Sequence, residues 1–113
     1  MFAFSGEPMQ LERIEWPGGQ VEEGELRRRL EAEGFSVWQW SDAPGADYTP
    51  HHHDHDESLW VVAGEITFGA EGRELLLHAG DRLMLPAGTV HTARAGIEGA
   101  TYLVGEKEQV VGC

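Results

Sequence analysis

"TPHHHDHDESLWVVAG", residues 49–64, decides how the rest of the chain is read. Four of the six histidines, two aspartates and one glutamate fill residues 51–57, and an apolar run follows directly. In an extended chain, residues i and i+2 point to the same side. His51 and His53 therefore share a face, His52 points away, and Glu57 opens the apolar strand. Two imidazoles and a carboxylate at the mouth of a half-buried strand are donors that suit a divalent metal. A further ligand has to come from elsewhere in the chain. His91, in "PAGTVHTA" behind a proline-glycine turn, is the candidate. A purification tag does not explain the run, because it is internal and is followed by Glu57, Gly64 and His91 at regular spacings.

The sequence on either side is punctuated by glycine into short strands. "SLWVVAG" (58–64) is apolar on both faces, and "EITFGAEGRELLL" (65–77) reads as strand, turn and strand with the hairpin at 70–72. "DRLMLP" (81–86), "VHTARAG" (90–96) and "ATYLVGE" (100–106) follow, while "FSVWQW" (35–40) precedes a predicted loop over 41–50. Further upstream, "MQLERIEW" (9–16) reads as an edge strand closed by a turn at 17–19. "VEEGELRRRLEAEG" (21–34) is the one helix candidate: Leu26 and Leu30 share a face, and Glu23–Arg27 and Glu25–Arg29 are favourable pairs. Gly34 is its stop signal. About seven short strands after one helix argue for an all-β sandwich or barrel. The expected organisation is an N-terminal strand and helix extension (1–34) packing on a barrel (35–106), then a tail (107–113).

A chain of 113 residues supports one core. Its net charge of −12 makes nucleic acid and anionic membrane surfaces poor partners, since both are bound by clustered Lys and Arg. The only cysteine is Cys113, so no internal disulfide framework forms. The first ten residues lack the basic and long apolar regions of a secretion signal, and no stretch approaches membrane-spanning length. A soluble cytoplasmic protein is expected.

Two spacings carry a family resemblance. Gly45, His51, His53, Glu57 and Gly64 match the first cupin motif: glycine, five residues, His, one, His, three or four, Glu, six, Gly. Gly80, Pro86, Gly88 and His91 match the second: glycine, five residues, Pro, one, Gly, two, His, three, Asn. The Asn position is Ala95, which changes the wall near the site without removing a ligand. The sequence thus resembles a small single-domain cupin, with 15 residues between Gly64 and Gly80. The resemblance implies a jelly-roll β-barrel and His51, His53, Glu57 and His91 converging on one metal inside it. It also implies a homodimer.

Three imidazoles and one carboxylate leave one or two positions open on a six-coordinate metal, suited to O2, water or a bidentate oxygen substrate. Iron, manganese, nickel, cobalt, copper and zinc all accept such donors. Three functions compete: a dioxygenase-like enzyme acting on a small aromatic or enol substrate, a non-redox isomerase or lyase, and a non-catalytic small-ligand-binding protein. Related quercetinase-like sites imply that Glu57 also serves as base. If alternation is unbroken, Leu59 and Val61 face in with Glu57, while Trp60 and Val62 face out. Leu83, Leu85, Met84, Tyr102 and either Trp38 or Phe35 are candidates for the remaining wall. Arg82 and Arg94 are the cations expected nearest the pocket, with Arg94 pointing away. An outward Trp60 needs cover, which a dimer interface would provide. His52, His55 and His78 are read as surface or loop side chains.

Overall fold

The computed structural model describes residues 8–107; the expected tail, beyond Lys107, lies outside the described residues. The order is β1 (Glu12–Ile14), α1 (Glu23–Ala32), β2 (Ser36–Asp42), β3 (Asp47–His51), β4 (Asp56–Ala70), β5 (Arg73–His78), β6 (Arg82–Leu85) and β7 (His91–Lys107). All pairings are antiparallel. The long strands β4 and β7 pair along most of their lengths; β5 and β6 flank β4, β2 and β3 flank β7, and β1 lies outside β6. The result is the expected all-β jelly-roll barrel with one short helix.

Two differences from the sequence reading share one cause. The segments 58–64 and 65–70 form one strand, as do 90–96 and 100–106. Read as separate strands in the sequence, the members of each pair are joined through irregularities in the pairing. The β4–β7 register shifts between Val61 and Ala63 and again between Gly64 and Ile66. Gly64 and Gly99 face each other there with φ of 75° and 79°, and a Cβ on Gly64 would lie 2.2 Å from the Gly99 carbonyl oxygen. Only glycine allows that approach. The bulges change the inward parity, so Leu59 and Val61 face in on one side of the corner and Ile66, Phe68 and Ala70 on the other. On β7, Ala93 and Ala95 face in before the corner, and Ala100 and Tyr102 after it. The expected loop over 41–50 is also shorter, because β2 runs to Asp42 and β3 begins at Asp47.

The helix covers the outer face of the barrel. Leu26 and Leu30 are fully buried against Phe35, Trp60 and Leu103. Burying each leucine contributes about 1.5–3 kcal/mol. The helix ends as Gly34 suggested: Gly34 N–H donates to Glu31 O, and Phe35 N–H to Leu30 O at 3.0 Å, with Gly34 at φ 99°. That pattern satisfies the last carbonyls and brings Phe35 onto Leu30. Both expected helix ion pairs form, Arg27–Glu23 at 3.0 Å and Arg29–Glu25 at 2.7 Å.

Trp60 does face outward, but its own chain covers it. It is buried under the helix, and its Nε1–H donates to Gly80 O at 2.8 Å. Its need for cover therefore no longer argues for a second subunit. Arg82 is likewise not near the pocket. On the outer face it donates to Ser58 Oγ at 2.6 Å and to both carboxylate oxygens of Glu33, with its guanidinium 4.6 Å from the Trp60 ring centre. It fastens the helix to the barrel. Of the other wall candidates, Phe35 and Met84 belong to this outer cluster, and Trp38 is exposed. The reason is parity, since Met84 alternates with inward Leu83 and Leu85.

Candidate metal centre

The first motif is split by the fold into a strand end, a short connection and a strand start. His51 ends β3, His53 and His55 lie in the connection, and Glu57 is the second residue of β4. His91 opens β7 directly opposite His51 in the β3–β7 register. The second motif's turn is tied to the connection: Gly88 N–H donates to His53 O at 2.7 Å, and Ala87 N–H to Asp56 Oδ1 at 2.8 Å. The two motifs thus hold each other in place.

Three imidazoles meet as a result. Ring centres are 4.3 Å apart for His51 and His91, 5.1 Å for His51 and His53, and 5.4 Å for His53 and His91. One nitrogen from each lies within 4.8 Å of the others. His51 Nδ1 lies 2.7 Å from Thr49 O, and His91 Nδ1 lies 2.9 Å from Thr89 O. A carbonyl oxygen only accepts, so each Nδ1 carries a proton, and in the neutral imidazole Nε2 is the atom left with a lone pair. A backbone carbonyl orienting a histidine in this way is the support that metal-ligating imidazoles use. Burial lowers the His91 pKa below the usual imidazole range; the Thr89 carbonyl opposes this, and His51, His53 and His52 reinforce it. The neutral form is the one that binds metal.

Glu57 stands beside this group. It is buried, with Oε2 3.7 Å from His53 Nε2 and 3.0 Å from His55 Nε2. Glu57, His53 and His55 form a second set with donor atoms within 4.8 Å of one another. The expectation that His55 is an exposed loop side chain is corrected here. It is half-buried and bridges Glu57 to Glu106, whose Oε2 is 3.3 Å away. Burial opposes a charge on His55, but Glu57, Glu106 and Asp54 together outweigh it and raise its pKa. His52 and His78 are exposed, as expected.

His51, His53, His91 and Glu57 line a cavity of about 200 Å³. Leu59, Phe68, Ala93 and Val104 supply apolar wall; Trp40, Tyr48 and Tyr102 supply aromatic wall. No Lys or Arg lines it among the described residues. Leu83 and Leu85, offered as wall, lie deeper in the barrel core, as does Ala95. Arg94 points outward, 3.5 Å from Asp47. Sequence reasoning named Leu59 and Tyr102 but missed Trp40, Tyr48 and Phe68. Tyr48 was hidden because its segment read as loop, and Phe68 because of the bulges.

Behind the aromatic wall stands Asp42. Its Oδ1 accepts hydrogen bonds from Tyr48 Oη at 2.5 Å and Trp40 Nε1 at 2.9 Å, and its Oδ2 from Tyr102 Oη at 2.7 Å. The Asp42 bond raises the Tyr48 pKa, and burial followed by Asp42 raises that of Tyr102, so both phenols stay protonated.

The donor set fits a divalent transition metal: converging imidazole nitrogens with oriented rings, and a buried carboxylate alongside. Curated relatives match over part of the chain. Quercetin 2,3-dioxygenase of Bacillus subtilis (strain 168) is 38% identical over 56 residues, 48% of this chain and 17% of that protein. The uncharacterized protein YdbB of the same organism is 36% identical over 64 residues, 55% of this chain and 57% of that protein. The chain therefore spans less than two thirds of either relative, and less than a fifth of the first. Among solved structures, an RmlC-like cupin from Shewanella frigidimarina superposes with a TM-score of 0.60 at 19% identity, over 96% of this chain and 90% of that one. The Cupin_2 profile, described as a cupin domain, matches residues 38–110. With both glycine-histidine motifs folded around one histidine cluster, the chain belongs to the Cupin_2 family of cupin domains.

Proposed function

We propose that this cupin is a metal-dependent enzyme of the dioxygenase-like kind, acting on a small aromatic or enol substrate. The observation that carries the reading is a cluster of three converging imidazoles, two of them oriented by backbone carbonyls, opening onto an apolar and aromatic cavity with no cation in its wall among the described residues. His51, His53 and His91 would hold the metal, with Glu57 as fourth ligand. A bound divalent metal supplies open coordination positions for an oxygen substrate and, if redox-active, electrons for O2 chemistry. Phe68, Leu59, Ala93 and Val104 exclude water and pack a planar substrate. Among the described residues Glu57 is the one carboxylate in the cavity wall, and it is suited to take a proton from an enol or phenol hydroxyl. His55 fixes that carboxylate from the other side. The partial likeness to a quercetin dioxygenase supports the same class.

A non-redox isomerase or lyase is the second reading. Its sugar-phosphate form is disfavoured, because a phosphate needs cations that this cavity wall lacks among the described residues. The test is elemental analysis of untagged protein purified without chelators or metal resin, followed by O2 uptake against aromatic and enol compounds. Near-stoichiometric iron, manganese, nickel, cobalt or copper with substrate-dependent O2 uptake is expected. Zinc alone favours the second reading. Failure to take up any metal overturns both and leaves a small-ligand-binding cupin.

A further inference from the structure

Asp42 does not line the cavity, yet it controls the aromatic side of it. Three donors converge on its carboxylate: the Tyr48 and Tyr102 hydroxyls and the Trp40 indole N–H. Both phenol protons are therefore directed away from the cavity, and what each phenol oxygen has left is lone pairs, although the Trp40 N–H also reaches the Tyr48 oxygen at 3.2 Å and leaves Tyr102 the freer acceptor. A polar group of a ligand that reaches these oxygens must donate a hydrogen. The Asp42 charge lies directly behind, and no Lys or Arg lines the cavity among the described residues to offset it. An anionic group placed there would be repelled and would find no donor.

We propose that Asp42 is a positioning residue for specificity: through Tyr48 and Tyr102 it makes the site select an uncharged hydroxyl donor and reject an anion. This deepens the reading of the site as one for aromatic or enol compounds and rests on it. The ligand class it names is a small neutral compound of about one ring. One part of it engages the histidine cluster through oxygen, and a separate hydroxyl donates to the tyrosines. A cavity of about 200 Å³ is smaller than the usual range for drug-sized ligands, which supports the size limit.

The test uses zinc-loaded protein without O2, so that binding is read without turnover. Three catechols share the chelating end and differ only at ring position 4: 4-methylcatechol, 3,4-dihydroxybenzyl alcohol and 3,4-dihydroxybenzoate. Calorimetric Kd values are compared within each protein, with 4-methylcatechol as reference. The alcohol should bind about three- to tenfold more tightly than the reference, the range of one net hydrogen bond. The carboxylate should bind at least about tenfold more weakly, because a buried anion without a donor is costly.

Asp42→Asn removes the charge and one acceptor, which frees a phenol proton. The carboxylate should then tighten at least about tenfold relative to the reference, a gain that general damage to the fold cannot produce. Tyr102→Phe removes a phenol oxygen but keeps the charge, so it should reduce the alcohol's advantage without helping the carboxylate. Equal binding of all three catechols to the parent protein overturns the proposal and leaves the metal reading intact. So does an Asp42→Asn protein with unchanged preference. If no catechol binds the zinc-loaded protein, both readings fall.

Discussion

Replacing His91 by alanine tests the centre through stability rather than activity. His91 is buried, its Nδ1 is held by the Thr89 carbonyl, and one of its nitrogens lies within 4.8 Å of one each from His51 and His53. A metal that binds only the folded state, at one hundred times its Kd, stabilises by about 2.7 kcal/mol. Unfolding entropy near 2.1 cal/mol/K per residue, over 113 residues, converts this to a rise in Tm of about 11 °C. Losing even an outer partner of a ligand weakens metal binding by about 10–100-fold, so losing the ligand costs at least about 100-fold. At the same metal concentration the variant then retains about 0.4 kcal/mol, or about 2 °C. Thermal melts of each protein with and without metal, each compared with its own metal-free form, cancel the packing cost of the substitution. An equal metal-induced rise in both proteins would refute the assignment of His91 as a ligand.

Two further outcomes follow from the same geometry, and a third tests what the family resemblance implies. His55 has a raised pKa in the folded state, so its ionic contribution is fully present below about pH 6.5 and is lost as pH rises through the folded value. The difference in metal-free unfolding free energy between the parent and His55→Gln should therefore be largest near pH 5.5 and shrink by pH 8; a difference that grows with pH contradicts this. Leu30→Ala, beneath the helix and against Trp60, should lower stability by about 2–5 kcal/mol in denaturant unfolding while metal stoichiometry stays unchanged; metal loss would show that the outer layer supports the site. The family resemblance implies a homodimer, and a monomeric mass by light scattering at micromolar concentration would reject it.

Much of the site was legible because its two motifs are local. The spacing His51-x-His53 in an extended chain puts two imidazoles on one side whatever the rest of the fold does. The glycines at 45, 64, 80 and 88 all adopt positive φ, so the motif spacing marks backbone turns as well as ligands. At Gly80, a Cβ would lie 2.3 Å from the Trp16 ring. His55 was misread because its partners, Glu57 and Glu106, come together only through the β4–β7 pairing. Asp42 was unreadable for the same reason. Tyr48 is six positions further on, but Tyr102 is sixty, and the β2–β7 and β3–β7 pairings join them.

The sequence alone therefore determined the all-β class, the single helix with its glycine stop, and the residues able to offer a metal its nitrogens and a carboxylate. These depend on local periodicity, turn chemistry and donor type. The tertiary structure decided which side chains face the cavity, because paired bulges at Gly64 and Gly99 reset strand parity in a way that alternation cannot reveal. It also decided that Trp60 is covered by the chain's own helix and that Arg82 serves that contact rather than a ligand. Such choices are made by contacts between residues distant in sequence, and no spacing along the chain encodes them.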